Sequence, residues 1–253
     1  MSKAPKRGKL RNPPRGRQYA YVAIVAVLLV AAGSGLYVYG SRIMGGGSTS
    51  TSSSATFPNQ SCTPSTTTSS TSGANGTYAL ICTNLGLIEV QLFPADAPKT
   101  VANFVSLANS GYYNDLVWHR IVPGFVVQVG DPTTKNGGGN RTTWGQGTSG
   151  TNIPFETNSL TEAAGAVAMA STGAKVGGSS QFFINLVDNS ATLDGNYVVF
   201  GQVINGMSVV NALAKVQLID PTSCKSASPT PEACQPASAS GAYIVSVTIQ
   251  STP

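Results

Sequence analysis

Arg120 is the residue around which a reaction could be organised. It lies in the run Trp118-His119-Arg120-Ile121-Val122-Pro123-Gly124-Phe125-Val126-Val127-Gln128-Val129-Gly130-Asp131. Two further runs carry residues of the same kinds. One is Ala168-Met169-Ala170-Ser171-Thr172, followed by Ser179-Ser180-Gln181-Phe182-Phe183-Ile184. The other is Leu193-Asp194-Gly195-Asn196-Tyr197-Val198-Val199-Phe200-Gly201. Together they offer one guanidinium, three side-chain amides and many aromatic and aliphatic groups. A guanidinium stays charged and presents its donors in a rigid fork. Beside an apolar pocket it can stabilise a shift of charge in a bound molecule without moving a proton.

Other chemistries lack their parts. His119 is the only histidine and no CxxC occurs, so no metal site is expected. Gly177-Gly178-Ser179-Ser180 does not fit G-x-S-x-G, which argues against a serine hydrolase. Asn136-Gly137-Gly138-Gly139-Asn140 lacks the Lys-Ser/Thr of a phosphate-binding loop and reads as a flexible loop. No cofactor is implied. Arg120 taken alone could be a surface salt-bridge residue, the commoner fate of an arginine. Phe182 and Phe183, adjacent in a strand, must face opposite sides, so at most one of them can line a groove.

The elements that position these residues are mostly strands. Tyr78–Cys82 is apolar, Asn84-Leu85-Gly86 makes a turn, and Leu87–Phe93 alternates, with Ile88, Val90 and Leu92 on one face and Glu89 and Gln91 on the other. Asp96 reads as a helix N-cap, with Pro98 in the first turn, Val101, Phe104, Val105 and Ala108 at helical spacing, and Gly111 as the stop. Short β-like runs follow at Leu116–Ile121, Phe125–Val129, Ala166–Ala170, Phe182–Asn185, Tyr197–Val203 and Tyr243–Gln250. A second helical pattern holds Val209, Val210 and Leu213. Many short strands with two helices suggest a closed, mainly β barrel.

The three runs, with Phe93-Pro94-Ala95-Asp96-Ala97-Pro98-Lys99-Thr100-Val101-Ala102-Asn103-Phe104, closely resemble the cyclophilin family, in family order and over residues 77–250. The resemblance implies an eight-stranded antiparallel barrel capped by two α-helices. It also implies an outer-face groove that binds an extended peptide and interconverts an X-Pro bond, with proline-containing polypeptides as partners. That reaction meets a barrier of roughly 18–20 kcal/mol from amide resonance and breaks no covalent bond, so it needs no nucleophile, metal or acid/base pair. By match to the family motif, Arg120 is the catalytic donor. Phe125, Val126, Phe183 and Leu193 line the proline pocket. Gln128 hydrogen-bonds the substrate backbone, Gln181 supports Arg120, and the Ala170-Ser171-Thr172 segment meets the peptide through its main chain. Ser171 stands where the family usually has Asn. Tyr197 takes a position that is His or Tyr in the family, and His119 is peripheral. Thr192 stands where the family often has Trp or Phe, after a loop about one residue longer than usual. Its smaller side chain implies weak cyclosporin binding and an altered peptide preference, with catalysis retained. The alternative to an enzyme is a tethered peptide-binding or scaffold module with little turnover.

Residues 76–253 form the expected domain, long enough for one core. The net charge of +5 belongs elsewhere. Seven Lys and Arg precede residue 18, whereas residues 76–253 hold seven basic and ten acidic residues, 7 − 10 = −3. A nucleic-acid partner is therefore not expected. Residues 1–18 read as a basic cytoplasmic tail and 19–40 as a transmembrane helix, uncharged and flanked by Tyr19, Tyr21, Tyr37 and Tyr39. A cleaved signal peptide is the alternative. Residues 41–75 read as a disordered linker, with 18 Ser or Thr among residues 48–72. Asn59, Asn75 and Asn140 begin N-glycosylation patterns. These readings place the domain outside the cytoplasm as a monomer. Four cysteines there allow three disulfide pairings: Cys224–Cys234 is the first choice as a local staple, leaving Cys62–Cys82, with free thiols as the alternative.

Overall fold

The computed structural model describes Cys62, residues 76–224 and residues 232–251. The expected basic tail, the transmembrane helix at 19–40 and the linker apart from Cys62 lie outside the described residues, as do Asn59 and Asn75. No helix among the described residues is long and apolar enough to cross a membrane.

The chain opens with the hairpin β1 (Thr77–Thr83) and β2 (Gly86–Leu92), in register from Thr77 opposite Leu92 to Thr83 opposite Gly86. Ile88, Val90 and Leu92 are buried, while Glu89 and Gln91 between them are half-buried, so the alternation is read out as two faces. Helix α1 (Pro98–Asn109) follows and buries Val101, Phe104 and Ala108. Its N-terminus corrects the expected cap. Asp96 does not cap it; the N-cap is Ala97, with no side-chain bond. The Glu156 carboxylate, far along the chain, instead accepts from the Lys99 N–H at 2.9 Å, the Thr100 N–H at 2.8 Å and the Thr100 hydroxyl at 2.7 Å. A negative group there satisfies orphan amides and meets the positive end of the helix. At the other end Gly111 adopts φ +70°, with Gly111 N–H to Ala108 and Tyr112 N–H to Leu107 closing the left-handed stop.

The remaining strands are β3 (Arg120–Val122), β4 (Val126–Val129), β5 (Ala166–Ser171), β6 (Gly178–Asn185), β7 (Val198–Asn205) and β8 (Ile244–Gln250). Short helices α2 (Ser190–Leu193), α3 (Met207–Leu213) and α4 (Pro221–Cys224) lie between the later strands. All eight strands form one antiparallel sheet in the order β3-β4-β6-β5-β7-β2-β1-β8.

The sheet curls into an eight-stranded half-barrel, and the segment leading into β3 meets the start of β8. The strand expected over Leu116–Ile121 is regular only from Arg120, and its earlier part pairs with the start of β8: Val117 bridges Tyr243, the Asp115 and Trp118 N–H groups donate to the Ile244 and Ala242 carbonyls at 2.8 and 3.0 Å, and the Ile244 N–H donates to the Leu116 carbonyl at 2.9 Å. The Ile121 N–H donates to the Cys234 carbonyl at 2.8 Å, so the segment after α4 also packs along β3. Disulfides join Cys224 to Cys234 and Cys62 to Cys82, with Cα separations of 5.0 and 5.6 Å.

The core fills the inside of the curl. Phe182 of β6 sits among Phe104, Tyr113, Trp118 and Phe200, edge-on to Phe104 at 5.4 Å between ring centres. A separate apolar cluster of Val126, Ala166, Ala168, Phe183, Leu193 and Val199 forms on the other face, joined by Phe125, Leu160, Ala170 and Tyr197.

Candidate functional site

Strand register gathers the candidate residues on one face. Arg120 pairs with Gln128, Gln128 with Phe183, Phe183 with Ala168, and Ala168 with Val199. Val126 and Gln181 lie two residues from Gln128 and Phe183 on their own strands, and so share that face. The same parity sends Ile121, Val127, Phe182 and Ile184 into the core. Of the two adjacent phenylalanines, Phe183 therefore belongs to the outer cluster and Phe182 to the interior.

A chain of hydrogen bonds holds the guanidinium. Arg120 Nη1 donates to Gln128 Oε1 at 3.3 Å, and Gln128 Nε2 donates to Gln181 Oε1 at 2.9 Å. Gln181 Nε2 donates in turn to the Gly145 and Gly147 carbonyls at 2.9 and 2.8 Å. The Gly145 and Gly147 amides donate to the buried Asp131 carboxylate, whose other oxygen accepts from the Thr133 amide and hydroxyl at 2.8 Å each. A Cβ at Gly147 would lie 2.0 Å from Asp131 Oδ1, so only glycine permits this clasp.

Arg120 is half-buried, and no Asp or Glu pairs with it among the described residues. This decides against the surface salt-bridge reading. Burial lowers its pKa from the ordinary value while Tyr197 opposes the shift. Its guanidinium carbon lies 6.0 Å from the Phe125 ring centre. A cation with free donors at the rim of an apolar basin is left to act on whatever binds there.

The basin is formed by side chains from four strands and a short helix. Phe183 and Tyr197 meet edge to face at 5.5 Å between centroids and 87°. Val126 comes from β4, Ala168 from β5 and Leu193 from α2. Burial raises the Tyr197 pKa, against the pull of Arg120. Ala170 and Ser171 end β5 at a bulge opposite Gly178, and the Ser171 hydroxyl donates to the Gly173 carbonyl at 2.6 Å. Thr172 and Thr192 are exposed; Thr192 sits on α2 beside buried Leu193.

His119 lies apart from this surface. It is buried beneath the loop at Gly145, where a Cβ would come within 3.5 Å of its Cδ2. Burial pulls its pKa down to about 4, with Asp131 opposing and Arg120 adding to the shift. It is therefore neutral at neutral pH.

Several supporting residues carry no role that local pattern could reveal. Asp131 and Gly147 clasp the loop that orients Gln181, and Glu162, Asn185 and Asn189 bond to one another behind the basin. Glu162 lies in a stretch with no strand or helix periodicity, so nothing local marked it.

Comparison with known proteins agrees with this geometry. The family model described as cyclophilin type peptidyl-prolyl cis-trans isomerase/CLD matches residues 78–231. The chain is 39% identical over 148 residues to peptidyl-prolyl cis-trans isomerase A of Dickeya dadantii, covering 56% of this chain and 73% of that protein. It is 41% identical over 135 residues to peptidyl-prolyl cis-trans isomerase-like 1 of Aspergillus niger, covering 53% and 80%. Among solved structures, a cyclophilin type peptidyl-prolyl cis-trans isomerase of Cryptosporidium parvum, crystallised in the presence of the dipeptide Ala-Pro, superposes with a TM-score of 0.54. It is 29% identical, and the match covers 68% of this chain and 98% of that one.

Proposed function

We propose, from the premise that this chain belongs to the cyclophilin-type peptidyl-prolyl cis-trans isomerases and is an enzyme of that type, that Arg120 and the outer-face basin are its catalytic site. The observation that carries the reading is an arginine with no acidic partner among the described residues, fixed by Gln128 beside Phe183.

Arg120 donates to the prolyl amide nitrogen as its lone pair withdraws from resonance. That interaction exists in the twisted amide and not in either planar ground state, which is the condition for lowering the barrier. Phe125, Val126, Phe183, Leu193 and Tyr197 hold the ring while the carbonyl rotates. Gln128 binds the substrate backbone, Gln181 orients Gln128 and Arg120, and the main chain of Ala170, Ser171 and Thr172 extends the peptide. Exposed Thr192 leaves the rim without an aromatic wall, which supports weak cyclosporin binding. The test measures isomerisation of an Ala-Pro tetrapeptide by the full-length chain and by Arg120→Ala. The wild type is expected to be far faster. Equal rates would sink the enzyme site and favour a peptide-binding module.

The substrates we assign are proline-containing segments of proteins folding outside the cytoplasm, met by a monomeric domain tethered to the membrane. Support comes from the basic tail, the uncharged run at 19–40, the Ser/Thr-rich linker and two disulfides, which suit an oxidising compartment. Mass measurement of the mature protein, with protease shaving of intact cells, tests this. An intact N-terminus with a shaved domain is expected; a domain protected until the cells are lysed would overturn it.

A further inference from the structure

Glu162 is a carboxyl with no exposed surface, on the stretch that leads into β5. Its Oε2 accepts from Asn185 Nδ2 at 2.6 Å. Asn185 Oδ1 accepts from Asn189 Nδ2 at 2.7 Å, and the same Asn189 amide donates to the Phe125 carbonyl at 3.0 Å. The main chain adds more ties. Asn189 N–H donates to the Glu162 carbonyl at 2.9 Å, Leu193 N–H to the Asn189 carbonyl at 3.0 Å, and Glu162 N–H to Asp194 Oδ1 at 2.7 Å. Phe125 and Leu193, two walls of the basin, are thus hung on Glu162 and its asparagines.

The second carboxyl oxygen, Oε1, is buried and has no hydrogen-bond partner. An ionised carboxylate with an unmet oxygen is costly in such a place. Asp194 repels the charged form, and Tyr197, the other titratable group facing it, is a phenol whose pKa burial raises further, so it stays neutral. Burial accordingly pushes the Glu162 pKa up to about 7, against the hydrogen bond from Asn185.

We propose that Glu162 is a positioning residue for the proline basin, and that losing its proton loosens the Phe125 and Leu193 walls, so that the site holds prolyl peptides more weakly as pH rises. The inference rests on the site reading above. A charged Glu162 gains most by drawing in water or turning toward solvent, and either motion breaks the relay through Asn185 and Asn189 to Phe125. Arg120 and its amide chain lie outside this relay, so the effect falls on KM and spares kcat.

The experiment follows isomerisation of an Ala-Pro tetrapeptide by NMR exchange, free of any coupling protease, with full-length protein from pH 5.5 to 8.5. For the wild type, KM is expected to rise roughly three- to tenfold with a midpoint near pH 7, with kcat constant to about twofold. Glu162→Gln keeps an acceptor for Asn185 and cannot ionise, so its KM should stay at the low-pH value throughout. Asn189→Ala, which cuts the link to Phe125, should show a raised KM at pH 6 and little further change with pH. A flat wild-type KM, or a step that persists in Glu162→Gln, overturns the inference. Arg120→Ala separates the two failures: if it is inactive while Glu162→Gln keeps the step, only the role of Glu162 falls; if it is as active as wild type, the site reading falls.

Discussion

Arg120 stands directly across β3 and β4 from Gln128, and its guanidinium donates to the Gln128 amide oxygen at 3.3 Å. The arginine therefore spends one donor on a neutral amide and none on a carboxylate. A neutral partner orients the fork without neutralising it, and the field of the cation stays available to a bound amide.

The first prediction concerns that chain of amides. Arg120→Lys should lose roughly a hundredfold in kcat, nearly as much as Arg120→Ala, because a point ammonium cannot reproduce the planar fork. Gln181→Leu removes the link between Gln128 and the Gly145 and Gly147 carbonyls. It should cost about tenfold in kcat/KM, a loss of about 1.4 kcal/mol. Steady-state kinetics on one proline tetrapeptide compares all three, and a fully active Arg120→Lys would refute the fork argument.

The adjacent phenylalanines should behave oppositely. Phe182 is wholly buried among Phe104, Tyr113, Trp118 and Phe200, so Phe182→Leu should lower stability by about 1–2 kcal/mol with little change in KM. Phe183 lines the outer basin, so Phe183→Leu should raise KM with a smaller loss of stability. Urea denaturation and kinetics on both variants check the pairing, and matching profiles would contradict the assignment of faces.

Two buried titratable groups set opposing pH dependences of stability. Glu162 has its folded pKa raised to about 7 from 4.5, so its contribution is full below about pH 4.5 and is lost as pH rises through 7. His119 has its folded pKa lowered to about 4 from 6.5, so its contribution is full above about pH 6.5 and is lost as pH falls toward 4. Between about pH 4.5 and 6.5 the two slopes nearly cancel, and thermal midpoints should form a plateau there. In Glu162→Gln the midpoint should instead climb to about pH 6.5 and then stay level. Melting curves from pH 4 to 8 measure this; an unchanged plateau in Glu162→Gln would count against the raised pKa.

The disulfides should differ in consequence. Cys224–Cys234 closes a loop of sequence separation 10, worth about 3 kcal/mol in lost chain entropy, and the Cys234 carbonyl holds the Ile121 amide beside Arg120. Replacing both cysteines by serine should lower melting temperature and kcat/KM together. The same change at Cys62 and Cys82, on β1, should spare kcat/KM. Activity unchanged without the Cys224–Cys234 bond would show that β3 needs no such edge support.

Much of this protein was written in local pattern. Alternation at Ile88, Val90 and Leu92 made a strand with two faces. Gly111 ended α1, because a left-handed stop needs glycine. The run from Trp118 to Asp131 marked Arg120, Phe125 and Gln128, since residue type and spacing alone carry such a motif. What the tertiary structure decided were relations between distant segments. Glu156 rather than Asp96 serves the start of α1, because an orphan amide accepts whichever carboxylate the fold delivers. The two ends of the curled sheet meet because Leu116 and Trp118 bond to Ile244 and Ala242, far along the chain. Glu162 came to lie behind the basin through bonds to Asn185 and Asp194, and its unpartnered oxygen exists only because the fold shuts water out. Hydrogen-bond partners far apart in sequence leave no periodic trace, so a buried carboxyl of this kind is visible only once the chain has folded around it.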